Sequence, residues 1–213
     1  MIDYPTSSSC ATINEMTKLI TIIGPSGSGK TSLVRALANT GQFAIAYEQH
    51  TERPFQELAK RDSRYVFSNQ MDYLILRAEQ EKDLRASSKT GLMDGGLDLD
   101  FHGFTRLFLS RNLLSQNEFD LCRRFYLLTR ELLPAPELIV RLKTDEETVA
   151  DRLSRRKRVN IANADDTALF NIYLDEWLAS VPSQQLLELD VTKETLQYSN
   201  SVNIILDTMK QIF

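Results

Sequence analysis

Lys18-Leu19-Ile20-Thr21-Ile22-Ile23 runs directly into Gly24-Pro25-Ser26-Gly27-Ser28-Gly29-Lys30-Thr31. The first stretch is short, apolar and β-branched and stops abruptly at a glycine, the pattern of a buried strand. The second satisfies G-x-x-x-x-G-K-[ST]. Beyond it, Thr31 to Asn39 carries Leu33, Val34, Leu37 and Ala38 at helical spacing, and Gly41 is placed to cap the C-terminus. Strand, glycine loop and helix together open a βαβ unit. Glycines at 24, 27 and 29 let successive backbone N–H groups turn inward toward phosphate oxygens, and the helix N-terminus adds its partial positive charge. Lys30 can reach the β- and γ-phosphates, and the Thr31 hydroxyl suits Mg²⁺. Gly24 to Ser32 are therefore expected to bind a nucleoside triphosphate with Mg²⁺. A Gly/Ser loop that merely turns the chain is the blander alternative, and the strand and helix around it argue against that.

Outward from this loop, residues 1–17 are rich in Ser and Thr without a clear period and are expected to form a flexible N-terminal tail, leaving 18–213 as one domain. Phe43 to Tyr47 predicts a second strand ending at Glu48. Ser63 to Arg85 is a long helical stretch. Gly91-Leu92-Met93-Asp94 is weak as a strand and is halted by Gly95-Gly96. Two helices follow, Phe101–Leu114 and Glu118–Leu133. Pro136-Glu137-Leu138-Ile139-Val140-Arg141-Leu142 reads as a strand. Asp145–Arg158 and Thr167–Ser180 are helical, Gln185–Leu189 is a last strand, and a helix closes the chain from about Ser199 to Phe213. Strands alternating with helices predict an α/β fold, a doubly wound, mostly parallel five-stranded sheet covered on both faces.

The balance of 25 Lys+Arg against 29 Asp+Glu, net −4, argues against a nucleic-acid binder. No apolar run approaches the roughly 20 residues of a membrane helix. Cys10 and Cys122 stand far apart, offering neither a disulfide framework nor a zinc site, and with no secretory leader a cytoplasmic protein is expected. No guanine-reading Asn-Lys-x-Asp motif is present, nor an apolar run ending in consecutive acids, which leaves a small kinase as the best fit.

From Leu19 to the last helix the chain resembles the deoxynucleoside kinases. Ala46-Tyr47-Glu48 matches the end of that family's second strand, whose Glu is the general base. Phe67-Ser68-Asn69-Gln70, followed by Leu74 and Arg77, is similar to its base-reading helix. Asp94, Asp100 and Phe104 match its acid-Arg-Ser stretch with the Asp and Phe downstream. Pro136-Glu137-Leu138-Ile139 resembles its Pro-Asp-Leu-Ile strand. Arg152, Arg156 and Arg158 have the spacing of its arginine lid, here about 152–166, and Tyr173 with Trp177 matches the Tyr-x-x-x-Trp that follows. Thymidylate kinases share the lid and the phosphate loop, so Glu48 with Gln70 and Arg77 makes the narrower match. Two positions depart from it. Gly95 and Gly96 replace the family's Arg and Ser, and Ile161 replaces a Glu that binds the sugar 3′-hydroxyl.

The resemblance implies ATP and Mg²⁺ as cofactors, a small nucleoside-like acceptor and a homodimer formed through the Phe101–Leu133 helices. Glu48 would take the acceptor's proton. Lys30, Arg152, Arg156 and Arg158 would neutralise charge during transfer, and Thr31 with Asp94 would serve the metal. Tyr47, Phe67, Gln70, Arg77, Asp94 and Phe104 would form the acceptor site, with Asp190 and Thr192 near adenine. Each has a blander reading: Glu48 as a solvated acid, Gln70 as a surface amide, Phe67 and Phe104 as core, the basic run from Arg152 to Arg158 as a solvated face. Asp98 and Asp100 compete with Asp94 for the metal. His50 and His102 are read as structural. Gly95-Gly96 is expected to admit a bulkier or differently oriented acceptor close to the backbone. Two other readings compete, a nucleoside monophosphate kinase and a P-loop protein that binds ATP without catalysis.

Overall fold

The computed structural model describes residues 16–47, 53–145, 147–149, 152, 164–195 and 197–213. Five parallel strands, β1 (Leu19–Ile23), β2 (Phe43–Ala46), β3 (Thr90–Asp94), β4 (Leu138–Lys143) and β5 (Leu186–Asp190), form one sheet in the order β2-β3-β1-β4-β5. Every residue of β1 is buried, as a central strand covered on both faces requires.

On one face, Ile20 and Ile22 of β1 pack with Leu33, Val34 and Leu37 of α1 (Lys30–Ala38) and with Ile205 of the C-terminal helix (Ser199–Ile212). On the other, Ile23 and Ile139 meet Leu107, Phe170, Leu174 and Trp177. The helices there are α2 (Gln56–Arg61), α3 (Val66–Arg85), a short α4 (Leu97–Leu99), α5 (Arg106–Ser110), α6 (Gln116–Leu132) and α7 (Ala164–Leu178), which makes the C-terminal helix α8.

Three expectations from sequence need correction. Gly91-Leu92-Met93-Asp94, weak as a strand by its sequence, is the strand paired with β1. Its glycine lowers strand propensity, yet a Cβ at 91 would stand 2.9 Å from Leu19 and 3.0 Å from Leu84, so the missing side chain lets α3 pack against the sheet. The helix expected over Phe101–Leu114 is instead α4, a π-helical turn over Asp100–Thr105, and α5. Thr105 Oγ1 donates to the Asp100 carbonyl at 2.9 Å within that wide turn. Finally, α6 starts before Glu118: Ser115 caps it and Glu118 returns the bond, a capping box that sets the first turn at Gln116. Helix α2 was not anticipated at all, and none of its residues is buried, so no apolar period announces it.

A buried ionic cluster ties α3, α4 and α6 together. Arg130 donates to both carboxylate oxygens of Glu81 at 2.9 Å and to both of Asp98 at 3.0 Å. Arg85 bonds Glu81 at 3.2 Å and also reaches Glu137. The Tyr126 hydroxyl donates to Asp98 at 2.8 Å and lies 3.1 Å from His102 Nε2. The His102 ring stacks on Trp177 at 5.0 Å.

His102 is packed within this cluster, and burial, helped by Arg106 and Arg130, pushes its pKa down to about 4. The unfolded chain therefore takes up a proton near pH 6.5 that the folded chain refuses until about pH 4. Stability from this group is intact above pH 6.5 and falls through that window, by about 3 kcal/mol at most. Urea unfolding of His102→Gln at pH 7, 5.5 and 4.5 should lose less stability on acidification than the parent chain; an identical slope would remove His102 from the acid response.

Candidate active site

All five strands run in the same direction, so their C-terminal ends, where open α/β sheets collect ligands, lie along one edge. At this edge β1 delivers the phosphate loop, β3 delivers Asp94 and β5 delivers Asp190. Gly24, Gly27 and Gly29 have φ of 149°, 85° and 102°, backbone conformations that a side chain would strain. A Cβ at Gly24 would also stand 2.8 Å from Ser28 Oγ, so the loop closes tightly on itself. Pro25 accepts from the Ser28 N–H at 3.2 Å. The Lys30 ammonium donates to the Gly24 and Pro25 carbonyls at 2.9 and 3.0 Å. Ser26 lies in the turn between them and Ser32 in the first turn of α1.

Register decides what faces this loop. Ile22 of β1 pairs with Asp94 of β3, and from there Asp94 Oδ2 accepts from the Thr31 hydroxyl at 2.6 Å. Asp94 is fully buried, and its Oδ1 has no hydrogen-bond partner among the described residues. A buried carboxylate oxygen left unpartnered beside a threonine hydroxyl is the donor chemistry that a hard divalent cation such as Mg²⁺ takes. The three candidate acids are thereby separated, since Asp98 is engaged by Arg130 and Tyr126 and Asp100 by Arg77.

The acceptor-side residues form a second constellation. Arg77 Nε donates to Asp100 Oδ2 at 2.8 Å, with both groups almost fully buried. Gln70 is buried, and its Nε2 donates to the Asp100 carbonyl at 3.1 Å and to Thr105 Oγ1 at 2.8 Å. Its orientation is not interchangeable, because a backbone carbonyl can only accept. The surface-amide reading of Gln70 is thereby corrected. Both amide hydrogens are already engaged within the protein, and Oε1 is the group left for a ligand.

Gly95 has φ of 83° and Gly96 of 135°, and a Cβ at 95 would lie 3.3 Å from Arg77 Nη2. A cation thus sits against the position where the resemblance led to the expectation of an arginine side chain. Phe67 and Phe104 pack among helix residues, Phe104 against Val66, Phe108 and Leu114 and against the Phe170 ring at 4.8 Å. Phe67 also lines a groove of about 590 Å³ between α3 and α6. Tyr47 is exposed, and its carbonyl accepts from Gln80.

On the donor side, Thr192 N donates to Asp190 Oδ1 at 2.9 Å and Thr192 Oγ1 accepts from Asp145 N at 3.2 Å, fixing the turn after β5. The Thr192 amide holds the Asp190 carboxyl below its usual pKa. Arg152 donates to Gly27, Ser28 and Val191 carbonyls and so lies against the phosphate loop. Tyr173 packs under the Arg106 guanidinium at 4.1 Å. Glu48, His50, Arg156, Arg158 and Ile161 lie outside the described residues. Thr105 and Tyr198 reach the site without any prior sign in the sequence, since a single Thr or Tyr carries no motif.

The family model described as deoxynucleoside kinase matches residues 20–213. Among curated proteins, the chain is 20% identical over 200 residues to the deoxyadenosine/deoxycytidine kinase of Bacillus subtilis (strain 168), covering 91% of this chain and 92% of that one. It is 26% identical over 141 residues to the deoxyguanosine kinase of the same organism, covering 65% and 67%. The fold superposes on a deoxyadenosine kinase from M. mycoides, solved with the products dCMP and dCDP, at a TM-score of 0.74 with 21% identity, covering 91% of this chain and all of that one. A second structure of that kinase, with bound dCTP, gives 0.74 and 20% identity. With the phosphate loop, the Thr31–Asp94 pair and the parallel sheet in place, the match over nearly the whole chain makes this protein a P-loop kinase of the deoxynucleoside kinase family.

Proposed function

We propose that the protein transfers the γ-phosphoryl group of ATP to the 5′-hydroxyl of a deoxynucleoside. The observation that carries this reading is the buried Asp94 carboxylate, held by the Thr31 hydroxyl at the mouth of the phosphate loop with one oxygen unpartnered. Phosphoryl transfer depends on positioning and on charge neutralisation. Gly24 to Ser32 bind the triphosphate through main-chain N–H groups, and Lys30 supplies a point charge. Thr31 and Asp94 would hold Mg²⁺, which when bound neutralises charge on the phosphate oxygens. Glu48, at the chain position following β2, is the group assigned to accept the hydroxyl proton. Arg156 and Arg158 are assigned to charge neutralisation. Asp190 and Thr192 are assigned to the adenine end of ATP.

Gln70, Arg77 and Asp100 form the acceptor end, with Phe67, Phe104 and Tyr47 around it. The curated relatives are named for deoxyadenosine, deoxycytidine and deoxyguanosine, and the acceptor is proposed from that group. Arg77 beside Gly95 supplies a positive charge that a glycine cannot. The cytoplasm, where ATP is available to kinases, is the compartment this reading implies. Among the described residues no helix is long and apolar enough to cross a membrane.

A homodimer is part of the proposal. Leu121, Leu128 and Leu132 of α6 are 46%, 56% and 64% exposed, and Ile75 of the neighbouring α3 is 42% exposed. Together with the groove at Phe67 and Met71 they leave an apolar face on helices that a second copy of this chain would cover.

A coupled assay over deoxynucleosides, ribonucleosides and nucleoside monophosphates, with ATP alone as control, should give turnover with deoxynucleosides and a 5′-monophosphate product. Turnover only with monophosphates would install the nucleotide-kinase reading, and binding of ATP without any transfer would install the non-catalytic one. Asp94→Asn should lower kcat by about 10²- to 10³-fold and raise the Mg²⁺ needed for half-maximal rate; an unchanged Mg²⁺ titration would remove Asp94 from the metal site. Leu128→Glu with Leu132→Glu should shift the sedimentation coefficient from dimer to monomer, whereas a parent chain already monomeric at micromolar concentration would end the dimer proposal.

A further inference from the structure

Arg152 makes contacts that a purely charge-neutralising arginine does not need. Its Nη1 donates to the Ser28 carbonyl at 3.0 Å and to the Gly27 carbonyl at 3.5 Å, and its Nη2 donates to the Val191 carbonyl at 3.4 Å. The first two carbonyls belong to the phosphate loop and the third to the turn after β5. Each of those segments is ordered by its own bonds. Ser28 N–H closes on Pro25 at 3.2 Å, and Val191 N–H bonds the Lys143 carbonyl at 2.9 Å. The pairing of β1 with β4 and of β4 with β5 brings the two segments to one edge of the sheet, and Arg152 links them directly.

We propose that Arg152 is a positioning residue of the donor site, a clasp that fixes the phosphate loop relative to the turn that would hold the base. This rests on the reading of the loop as an ATP site. The carbonyls of Gly27 and Ser28 are the rear ends of the peptide units whose N–H groups belong to Ser28 and Gly29. The Ser28 N–H is already given to the Pro25 carbonyl, so a cation on the carbonyl side holds both planes in one orientation and aligns the Gly29 peptide dipole with an anion on the other side. The guanidinium suits this work because its donors are fixed in a planar fork that reaches two segments at once, which an ammonium cannot do.

The remaining space at this corner is closed. A side chain at Gly29 would run into the Tyr198 hydroxyl and stand 3.3 Å from Arg152 Nη1. Tyr198 itself has φ of 50° and is buried at the start of α8, so it backs the clasp rigidly. Thr144 Oγ1 adds a further bond to the Ser28 carbonyl at 3.4 Å.

A clasp and a charge-neutralising arginine differ in what their loss does. Without the clasp, ATP binds a site whose loop and turn have lost their direct link and are less firmly held, while a molecule that has bound reacts as before. Arg152→Gln in the full-length chain should weaken calorimetric ATP affinity, and raise the KM for ATP, by about 10- to 100-fold. The kcat at saturating ATP should stay within about threefold of the parent. Arg152→Lys keeps the charge and loses the fork, so it should recover only part of the affinity. If Arg152→Gln does not fold, the lysine variant carries the test alone. Full recovery by lysine, or a tenfold fall in kcat with ATP affinity intact, overturns the clasp. ATP binding is measured without an acceptor, so a wrong acceptor leaves the test standing; failure of the parent chain to bind ATP would remove the donor-site reading itself.

Discussion

The pairing of β1 with β3 is the constraint on which the site rests. Because the two strands run parallel with Ile22 opposite Asp94, the carboxylate leaves the sheet beside the first turn of α1 and meets the Thr31 hydroxyl at 2.6 Å. A register slip of one residue would send Asp94 to the opposite face and bring a methionine or glycine in its place. Burial protects the register. Leu19, Ile20, Ile22, Leu92 and Met93 are all fully buried, so any slip would carry apolar side chains out of both cores at once. The same contact leaves Asp94 Oδ1 without a partner among the described residues, which is costly in a core and tolerable where a cation is to bind.

Downstream of β3 the chain is steered by charge more than by apolar packing. Asp98 is gripped by Arg130, and Asp100 by Arg77, within six residues of Asp94. Buried ion pairs of this kind add little net stability, because desolvation offsets most of the attraction, but removing one partner strands the other. Their consequence here is geometric. They fix where α4 begins and where the π-helical turn places Asp100 and Thr105, and those two hold Gln70 by its amide nitrogen. The turn also keeps Gly103 under the Phe170 ring, where a Cβ would approach to 2.5 Å. Helix α7 can therefore lie directly on the π-helical turn.

How much of this was legible in the sequence follows from range. The phosphate loop is a local object: its glycines, lysine and threonine are consecutive, and main-chain geometry follows from residue type. The alternation of strands and helices was legible for the same reason, and α1, α3, β4 and α8 lie close to where their periods predicted. Strand β3 was weak because Gly91, needed so that Leu84 can approach, is a poor strand former in isolation. The π-helical turn could not be foreseen, because it depends on Phe170, Gln70 and Arg130 arriving from elements far along the chain. Gln70 was a plausible base reader by resemblance, yet sequence could not say which end of its amide is free. That is fixed by the Asp100 carbonyl, which only the fold brings near.

The two halves of the candidate site are built from different material. The donor half is mostly main chain. Peptide N–H groups of the phosphate loop would meet the phosphates, and the carbonyls of Gly27, Ser28 and Val191 are held by Arg152. Such a surface survives substitution as long as the glycines keep their positive φ. The acceptor half is made of side chains, each replaceable if another supplies the same charge from a different origin. Gly95 illustrates this. A missing arginine in the sequence reads as a lost cation, whereas in three dimensions the Arg77 guanidinium lies against that very position, anchored by Asp100. A glycine with φ of 83° then becomes a requirement, since any side chain there would be strained and would press on Arg77. Arg77 lies on the helix whose resemblance to the family already included that arginine, so it is a cation kept in place, and the bare backbone at 95 leaves it room.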